Sequence, residues 1–164
     1  MIGIEKRLVV IEARHEPAID ALFNLEPVYR YLFDGAPPPA GFVSRLMRTL
    51  TETPREPGIG AWVIENGDHV TAYLEIRDGD HNLGRELIWV VHPDLWGGGV
   101  ATALARFGQE QAFVIEGVSH VWAATDAANL ASQRVMEKSG MHFWKMEDMP
   151  LGPGPVWRLE KGRN

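Results

Sequence analysis

The segment that most constrains the fold runs from Glu86 to Leu104, because it joins an apolar run to a glycine turn and an amphipathic run. Residues 86–91 are rich in β-branched and aromatic side chains, which is typical of a buried strand. Pro93 cannot donate to a sheet ladder and therefore ends it. Three glycines follow, after which apolar residues recur at helical spacing: Val100, Leu104, Phe107 and Val114. The predicted order is strand, loop, glycine turn and helix.

A glycine turn that leads into a helix is suited to binding an anion. Glycine adopts backbone conformations that turn N–H groups towards a ligand, and it has no Cβ to obstruct the approach. The first turn of the helix adds unpaired N–H groups and a partial positive charge. We therefore predict a phosphate or pyrophosphate site at residues 97–102, with a glycine turn that binds nothing as the alternative.

Two common phosphate-binding motifs fit this segment poorly. A P-loop requires a lysine after its last glycine, and none follows here. In a dinucleotide-binding motif Gly97 and Gly99 would take the first two glycine positions, but Thr102 stands at the third. Five residues also separate the strand from the glycines. A nicotinamide-dependent enzyme is therefore not favoured.

Length and composition limit the class of protein. The 164 residues predict one domain, 1–164, with a substantial core. Because the chain has no cysteine, disulfides, thiolate zinc sites and a cysteine nucleophile are excluded. The six histidines show no metal-ligand spacing, so no metal is expected. The net charge of −6 is spread along the chain, which argues against nucleic-acid binding.

The sequence contains no apolar run long enough to cross a membrane. Residues 1–7 also lack the pattern of a signal peptide. We therefore expect a cytoplasmic protein that does not bind membranes.

The order of predicted elements favours an α+β fold. Strands are predicted at 7–11, 61–65, 70–76, 86–91, 118–124, 141–146 and 156–159, and helices at 16–25, 28–33, 42–50, 100–114 and 129–139. Turns are expected at 66–68, 78–84 and 150–155. Hairpins make most of the sheet antiparallel, whereas the strand–helix–strand crossover around residues 86–124 requires one parallel pair.

A second informative segment spans Asn129 to Met141. Taken alone, it is an amphipathic helix with Asn129 as the N-cap and Gly140 at its end. In that interpretation Glu137 and Lys138 are simply solvated.

The two segments together resemble the GNAT acetyltransferase superfamily, and in particular its RimJ/RimL-like branch. The branch pattern Pro-x-x-Trp-Gly-x-Gly-x-Ala-Thr is matched at Pro93, Trp96, Gly97, Gly99, Ala101 and Thr102. Its pattern Asn-x-x-Ser-x-Arg-Val-x-Glu-Lys-x-Gly-Phe is matched at all fixed positions but the last, where Met141 replaces the phenylalanine: Asn129, Ser132, Arg134, Val135, Glu137, Lys138 and Gly140. Two motifs in the right order are more specific than either alone. Ala103 departs from the branch, which often has a carboxylate there, and Met136 replaces a tyrosine found in many GNAT enzymes.

The resemblance implies the GNAT fold and acetyl-CoA as co-substrate, with no metal. Its pyrophosphate would lie on the residues Gly97, Gly98, Gly99, Val100, Ala101 and Thr102. The pantetheine would follow the central strand at Val90 and Val91, where a backbone N–H polarises the thioester carbonyl, and Asn129 would bond the pantetheine or order its loop. Trp96 is expected to pack beneath the glycine loop.

The implied reaction is direct transfer of an acetyl group to a primary amine. Glu86, at the start of the central strand, is the predicted base, because burial raises the pKa of a carboxyl group towards a useful value. Its alternative is an edge glutamate with no proton role. Ser132 is the predicted acid for the leaving thiolate in place of the missing tyrosine, and its alternative is a purely supporting role at the cap.

The acceptor is not determined by the sequence, because the early helices that line the substrate side in GNAT enzymes carry no motif. A small-molecule amine such as an amino acid or polyamine and a peptide N-terminus are both possible acceptors. Related enzymes often form homodimers, so a homodimer is a further expectation. The main alternative function is a regulatory domain that binds CoA without catalysis.

Overall fold

A computed structural model describes residues 7–53, 56–79 and 84–162, which include a seven-stranded sheet of order β1-β2-β3-β4-β5-β7-β6. Its strands are β1 (Leu8–Val10), β2 (Gly60–Asn66), β3 (His69–Asp78), β4 (Gly84–Val91), β5 (His120–Ala124), β6 (His142–Met149) and β7 (Gly152–Glu160). The helices are α1 (Glu16–Phe23), α2 (Glu26–Leu32), α3 (Phe42–Glu52), α4 (Val100–Phe113) and α5 (Leu130–Lys138). Only β4 and β5 pair in parallel within this sheet. The predicted α+β fold is confirmed.

The helices cover both faces of the sheet. Helix α4, which connects the two parallel strands, packs through Leu104 against Leu74 and Val91. Helices α1 and α3 lie on the opposite face, where Ile19 and Met47 share a core cluster with Val90. Because side chains alternate along a strand, neighbouring residues of β4 serve different cores. None of the helices among the described residues is long and apolar enough to span a lipid bilayer.

Several predicted boundaries differ from the structure by one to four residues, and those of α4 and β7 have a physical reason. Helix α4 ends at Phe113, and Val114 is 76% exposed instead of packing on the apolar face of the helix. Strand β7 begins at Gly152 and not at residue 156, so it contains Pro153 and Pro155. Proline is tolerated in a strand where its missing N–H is not needed by the ladder. The Pro155 carbonyl accepts a hydrogen bond from Thr125 N–H (3.3 Å), so this side of β7 faces β5 and the ladder with β6 is not interrupted.

The expected turn at 78–84 lies only partly within the described residues, because 80–83 fall outside them. The hairpin predicted at 66–68 is present between β2 and β3.

Candidate active site

The two edges of β4 are paired to different extents. Along one edge, Arg85 to Val91 each pair with a residue of β3. Along the other, the recorded pairs with β5 comprise only residues 84–86 with 120–122. Beyond Glu86 and Trp122 the two described strands diverge, and this gap, the β4–β5 opening, lies within the sheet rather than at its margin.

Val91 directs its backbone polar groups into the β4–β5 opening. The N–H of His92 donates to the Thr71 carbonyl on the β3 side (2.9 Å). Because successive residues of a strand direct their N–H groups to opposite sides, the N–H of Val91 faces the opening and that of Val90 faces β3. The indole Nε1 of Trp96 donates to the Val91 carbonyl (2.8 Å), which shows that this carbonyl also faces away from β3.

The glycine loop follows the open end of β4. Gly97 and Gly99 have φ of +76° and +80°, which favour glycine, and a Cβ at either position would meet no atom within 4 Å. Gly99 is the N-cap of α4, whose first intrahelical bond is donated by Ala103 to the Gly99 carbonyl (3.0 Å). The N–H groups of residues 100–102 precede that bond and are available to an anion.

Trp96 is not packed beneath the glycine loop as the sequence predicts. Its side chain is 56% exposed, and its contact with the strand is the hydrogen bond from its indole to Val91. The indole therefore covers the last carbonyl of β4 from the solvent side.

Asn129 and Ser132 lie on the β5 side of the opening. The Asn129 amide Nδ2 donates to Thr125 Oγ1 (3.0 Å), and its Oδ1 accepts from the Ser132 N–H (3.2 Å). Ser132 lies one helical turn before Met136, which is buried with Ala123 of β5. Residues four apart share a helix face, so the half-buried Ser132 side chain points towards the sheet.

A chain of polar side chains crosses from β3 to β4 on the face covered by α1 and α3. The Tyr73 hydroxyl donates to Glu75 Oε2 (2.7 Å), and Arg77 Nε donates to Glu86 Oε2 (2.6 Å). Arg77 and Glu86 are directly paired in the β3–β4 register, and Glu75 is paired with Ile88. The predicted base Glu86 is therefore held by an arginine and has a second carboxyl group close by.

Among these polar side chains between β3 and β4, Glu75 is the one that the sequence analysis missed. It is 8% exposed, and burial raises the pKa of its carboxyl group; the charge of Glu86 adds to the rise, while the Tyr73 hydrogen bond and Arg77 oppose it. The available signal was a carboxylate inside the otherwise largely apolar run of residues 72–76, on the face opposite Leu74. Perturbed pKa values of this kind cluster at functional sites.

The fold agrees with the family comparison. Residues 7–142 match the acetyltransferase (GNAT) domain family, and the chain belongs to that family. The sequence-based prediction of a GNAT acetyltransferase is thus confirmed. A comparison with curated protein sequences finds no significant match.

Solved structures with the same fold are similar over nearly their whole length. A GNAT-family acetyltransferase from Bacillus anthracis is 15% identical, with 95% of each chain covered and a TM-score of 0.78. The spermidine N-acetyltransferase of Vibrio cholerae, in complex with CoA and spermine, is 14% identical, with 94% of each chain covered and a TM-score of 0.75. AAC(6')-Ib in complex with ribostamycin and coenzyme A is 14% identical, with 94% of this chain and 92% of that chain covered and a TM-score of 0.75.

Proposed function

We propose that this protein transfers the acetyl group of acetyl-CoA to the primary amine of a small molecule, by direct attack in a ternary complex. The observation that carries the proposal is the β4–β5 opening, which presents the Val91 N–H and leads through the glycine loop to the available N–H groups of residues 100–102 at the start of α4. Similar structures bind CoA together with spermine or ribostamycin, which supports a small amine as acceptor.

The proposed acetyl-CoA site uses the residues that the two motifs indicate. The pyrophosphate lies on residues 97–102, where N–H groups and the helix dipole favour negative charge. The pantetheine adds to the open edge of β4 as an extra strand, bonding to Val91 and meeting Asn129 on the opposite side. Val90 turns its side chain to the acceptor face, where it contacts the acetyl group or the amine.

The proposed chemistry needs three groups of the protein. The amine nitrogen attacks the thioester carbon, and the Val91 N–H meets the charge that develops on the carbonyl oxygen. The C–S bond then breaks, and the Ser132 hydroxyl gives a proton to the CoA thiolate. Solvent afterwards returns a proton to Ser132. Glu86 accepts the proton that the amine nitrogen loses.

Glu75 is a second carboxyl group that can accept the amine proton. Its raised pKa makes it a stronger base than an ordinary carboxylate, whereas Glu86 is bound to Arg77. Glu86 belongs to β4 itself, next to the opening, and Glu75 reaches the same face from the neighbouring strand. We assign the role to Glu86 and treat Glu75 as the alternative that the variants below separate.

The first test is calorimetric titration of acetyl-CoA into the wild type and the variants Thr102→Glu and Thr102→Gln. A carboxylate in the first turn favours the helix but repels a pyrophosphate, so the fold is kept while binding is lost. We expect at least a ~10-fold higher Kd for Thr102→Glu, by the magnitude of helix-terminus charge effects in partly buried sites, and a near wild-type Kd for Thr102→Gln. Equal affinities of the two variants would contradict the assigned pyrophosphate site.

The second test measures thiol release from acetyl-CoA with a panel of amines. A base contributes ~10²–10⁴-fold to the rate, so Glu86→Gln should lose that much in kcat with an unchanged Kd for acetyl-CoA. Glu75→Gln is the matched variant on the adjacent strand. If Glu75→Gln lowers kcat while Glu86→Gln leaves kcat unchanged, Glu75 is the base. Acetyl-CoA binding without turnover on any amine would instead favour the regulatory CoA-binding domain.

Four finer assignments stay predictions from sequence. The RimJ/RimL-like branch rests on the two motifs, and a peptide N-terminus is an acceptor that the same amine panel can include. Cytoplasmic location and a homodimer also stay predictions, the second of which light scattering on the purified protein measures directly.

A further inference from the structure

Asp126 is a buried carboxylate at the end of β5 that the proposed reaction does not use. It is 9% exposed, and its Oδ2 has no hydrogen-bond partner within the described residues. No salt bridge to it occurs in that part of the chain either. Leaving a buried carboxylate without a partner is costly, and such groups in native proteins call for an explanation such as a bound ion or ligand.

The surroundings of Asp126 contain another carboxylate. Burial raises the pKa of Asp126, and the negative charge of Asp34 adds to the rise. Asp34 is exposed and lies between α2 and α3, the helices on the acceptor face of the sheet. Val121 and Ala123 belong to the clusters beneath α4 and α5, so Trp122 and Ala124 face the acceptor side, and Asp126 continues that alternation just beyond the strand. The negative charge of Asp34 opposes the ionisation of Asp126 instead of pairing with it.

Asp126 also lies beside the proposed site of acetyl transfer. It follows Thr125, whose hydroxyl accepts the Asn129 hydrogen bond on the β5 side of the β4–β5 opening. Glu86 is in the last recorded pair of the β4–β5 ladder, where the same opening begins. An acceptor whose amine reaches Glu86 thus extends towards Asp126 on the other side.

We propose that Asp126 binds a second ammonium group of the acceptor, with Asp34 adding negative charge on the same face of the sheet, so that the preferred substrates are diamines or longer polycationic amines. This inference rests on the proposed function, since it concerns the acceptor of that reaction. A cation supplies the partner that the buried carboxylate lacks, and its contact with Asp126 adds a charge-assisted hydrogen bond.

The test compares linear α,ω-diamines with the monoamines of the same chain length, using wild type, Asp126→Asn and Asp34→Asn. A hydrogen bond between charged groups changes affinity by ~10-fold or more, so wild type should prefer the diamine by at least that factor in kcat/KM. Asp126→Asn should lose the preference through a higher KM for the diamine and keep its kcat/KM for the monoamine. Asp34→Asn should show a smaller change in the same direction. Asp148→Asn, at an exposed position on β6, is the control and should behave as wild type.

A binding role and a structural role predict opposite effects on stability. Because Asp126→Asn removes an unpaired buried charge, the ligand-free variant should melt at a higher temperature than the wild type. A structural carboxylate would give a lower melting temperature on the same substitution, and that result would overturn the inference.

Calorimetric titration of the diamine into the CoA-bound protein separates this inference from the proposed function. If Asp126→Asn weakens diamine binding ~10-fold but no variant transfers acetyl groups, the ammonium site stands and the proposed reaction fails. If the reaction proceeds while wild type and Asp126→Asn bind and acetylate the diamine equally, the ammonium site is wrong and the proposed function stands.

Discussion

The two edges of β4 show how one strand serves stability on one side and function on the other. On the β3 side the ladder continues from residue 85 to residue 91. On the β5 side the recorded ladder ends at Glu86, although both strands continue. The residues of β4 are the same in both ladders, so the difference arises from the divergence of its neighbour and not from the sequence of β4 itself.

This comparison explains why an unpaired edge is kept inside the sheet. Unpaired N–H and C=O groups of a strand are open to pairing with another chain, and proteins usually block them. Here Trp96 covers the Val91 carbonyl, and the Val91 N–H remains directed into the β4–β5 opening. In the proposed function, the open edge accepts the pantetheine as an extra strand, while the ladder with β3 holds β4 in place.

The largest expected effects come from proline substitutions at two adjacent residues of β4, whose N–H groups face opposite edges of the strand. Val90→Pro removes an N–H that faces β3, which leaves a buried carbonyl of that ladder without its donor, and should destabilise the fold by ~1–3 kcal/mol. Val91→Pro removes the N–H that faces the opening, as Pro155 does in β7, so the fold should persist. Loss of an oxyanion donor should nevertheless lower kcat ~10²–10³-fold in Val91→Pro.

Chemical denaturation and the thiol-release assay together check this pair of variants. Circular dichroism without denaturant confirms that each sample is folded before the rates are compared. Equal loss of stability in both variants would mean that the two edges of β4 are energetically alike.

A moderate effect is expected at the residue that covers the open edge. Trp96→Phe keeps an aromatic ring but loses the donor to the Val91 carbonyl, which then bonds to water. The net cost of such a bond is ~1 kcal/mol, so the melting temperature should fall by a few degrees. The loss of binding free energy for acetyl-CoA should exceed the loss of stability, because the glycine loop follows Trp96 directly. Calorimetry measures the Kd.

The smallest effect is on the pH dependence of stability at Glu75. Since its pKa is raised in the folded state, the folded protein binds a proton that the unfolded chain has released between the ordinary and the raised pKa. Stability of the wild type should therefore fall as pH rises through that interval and change no further above it. Glu75→Gln lacks this fall, so its melting temperature relative to wild type should increase from acidic to neutral pH.

Thermal melts of both proteins across pH 4 to 8 measure this difference. Other carboxyl groups with shifted pKa, such as Glu65 and Asp126, are common to both proteins and cancel. A constant difference over the whole range would mean that Glu75 has no raised pKa in the folded protein.

Much of the fold and part of the site could be predicted because the signals are local. The three glycines, the apolar run of β4 and the Asn129 cap each act within a few residues, and all three elements lie where the sequence places them. The errors arise where a distant element decides. Val114 has helical spacing but lies past the end of α4, and Pro153 continues β7 because only β6 pairs with that part of the strand.

The amino-acid sequence by itself determined the order of elements, the glycine loop before α4, the capped helix α5 and hence membership of the acetyltransferase family. Periodicity, capping and backbone freedom are properties of neighbouring residues, so they can be read without a structure. Only the tertiary structure decided where β4 and β5 separate, which amide faces the opening, and that Glu75 and Asp126 are buried carboxylates. Those properties depend on desolvation and pairing between residues far apart in sequence, which no local pattern records.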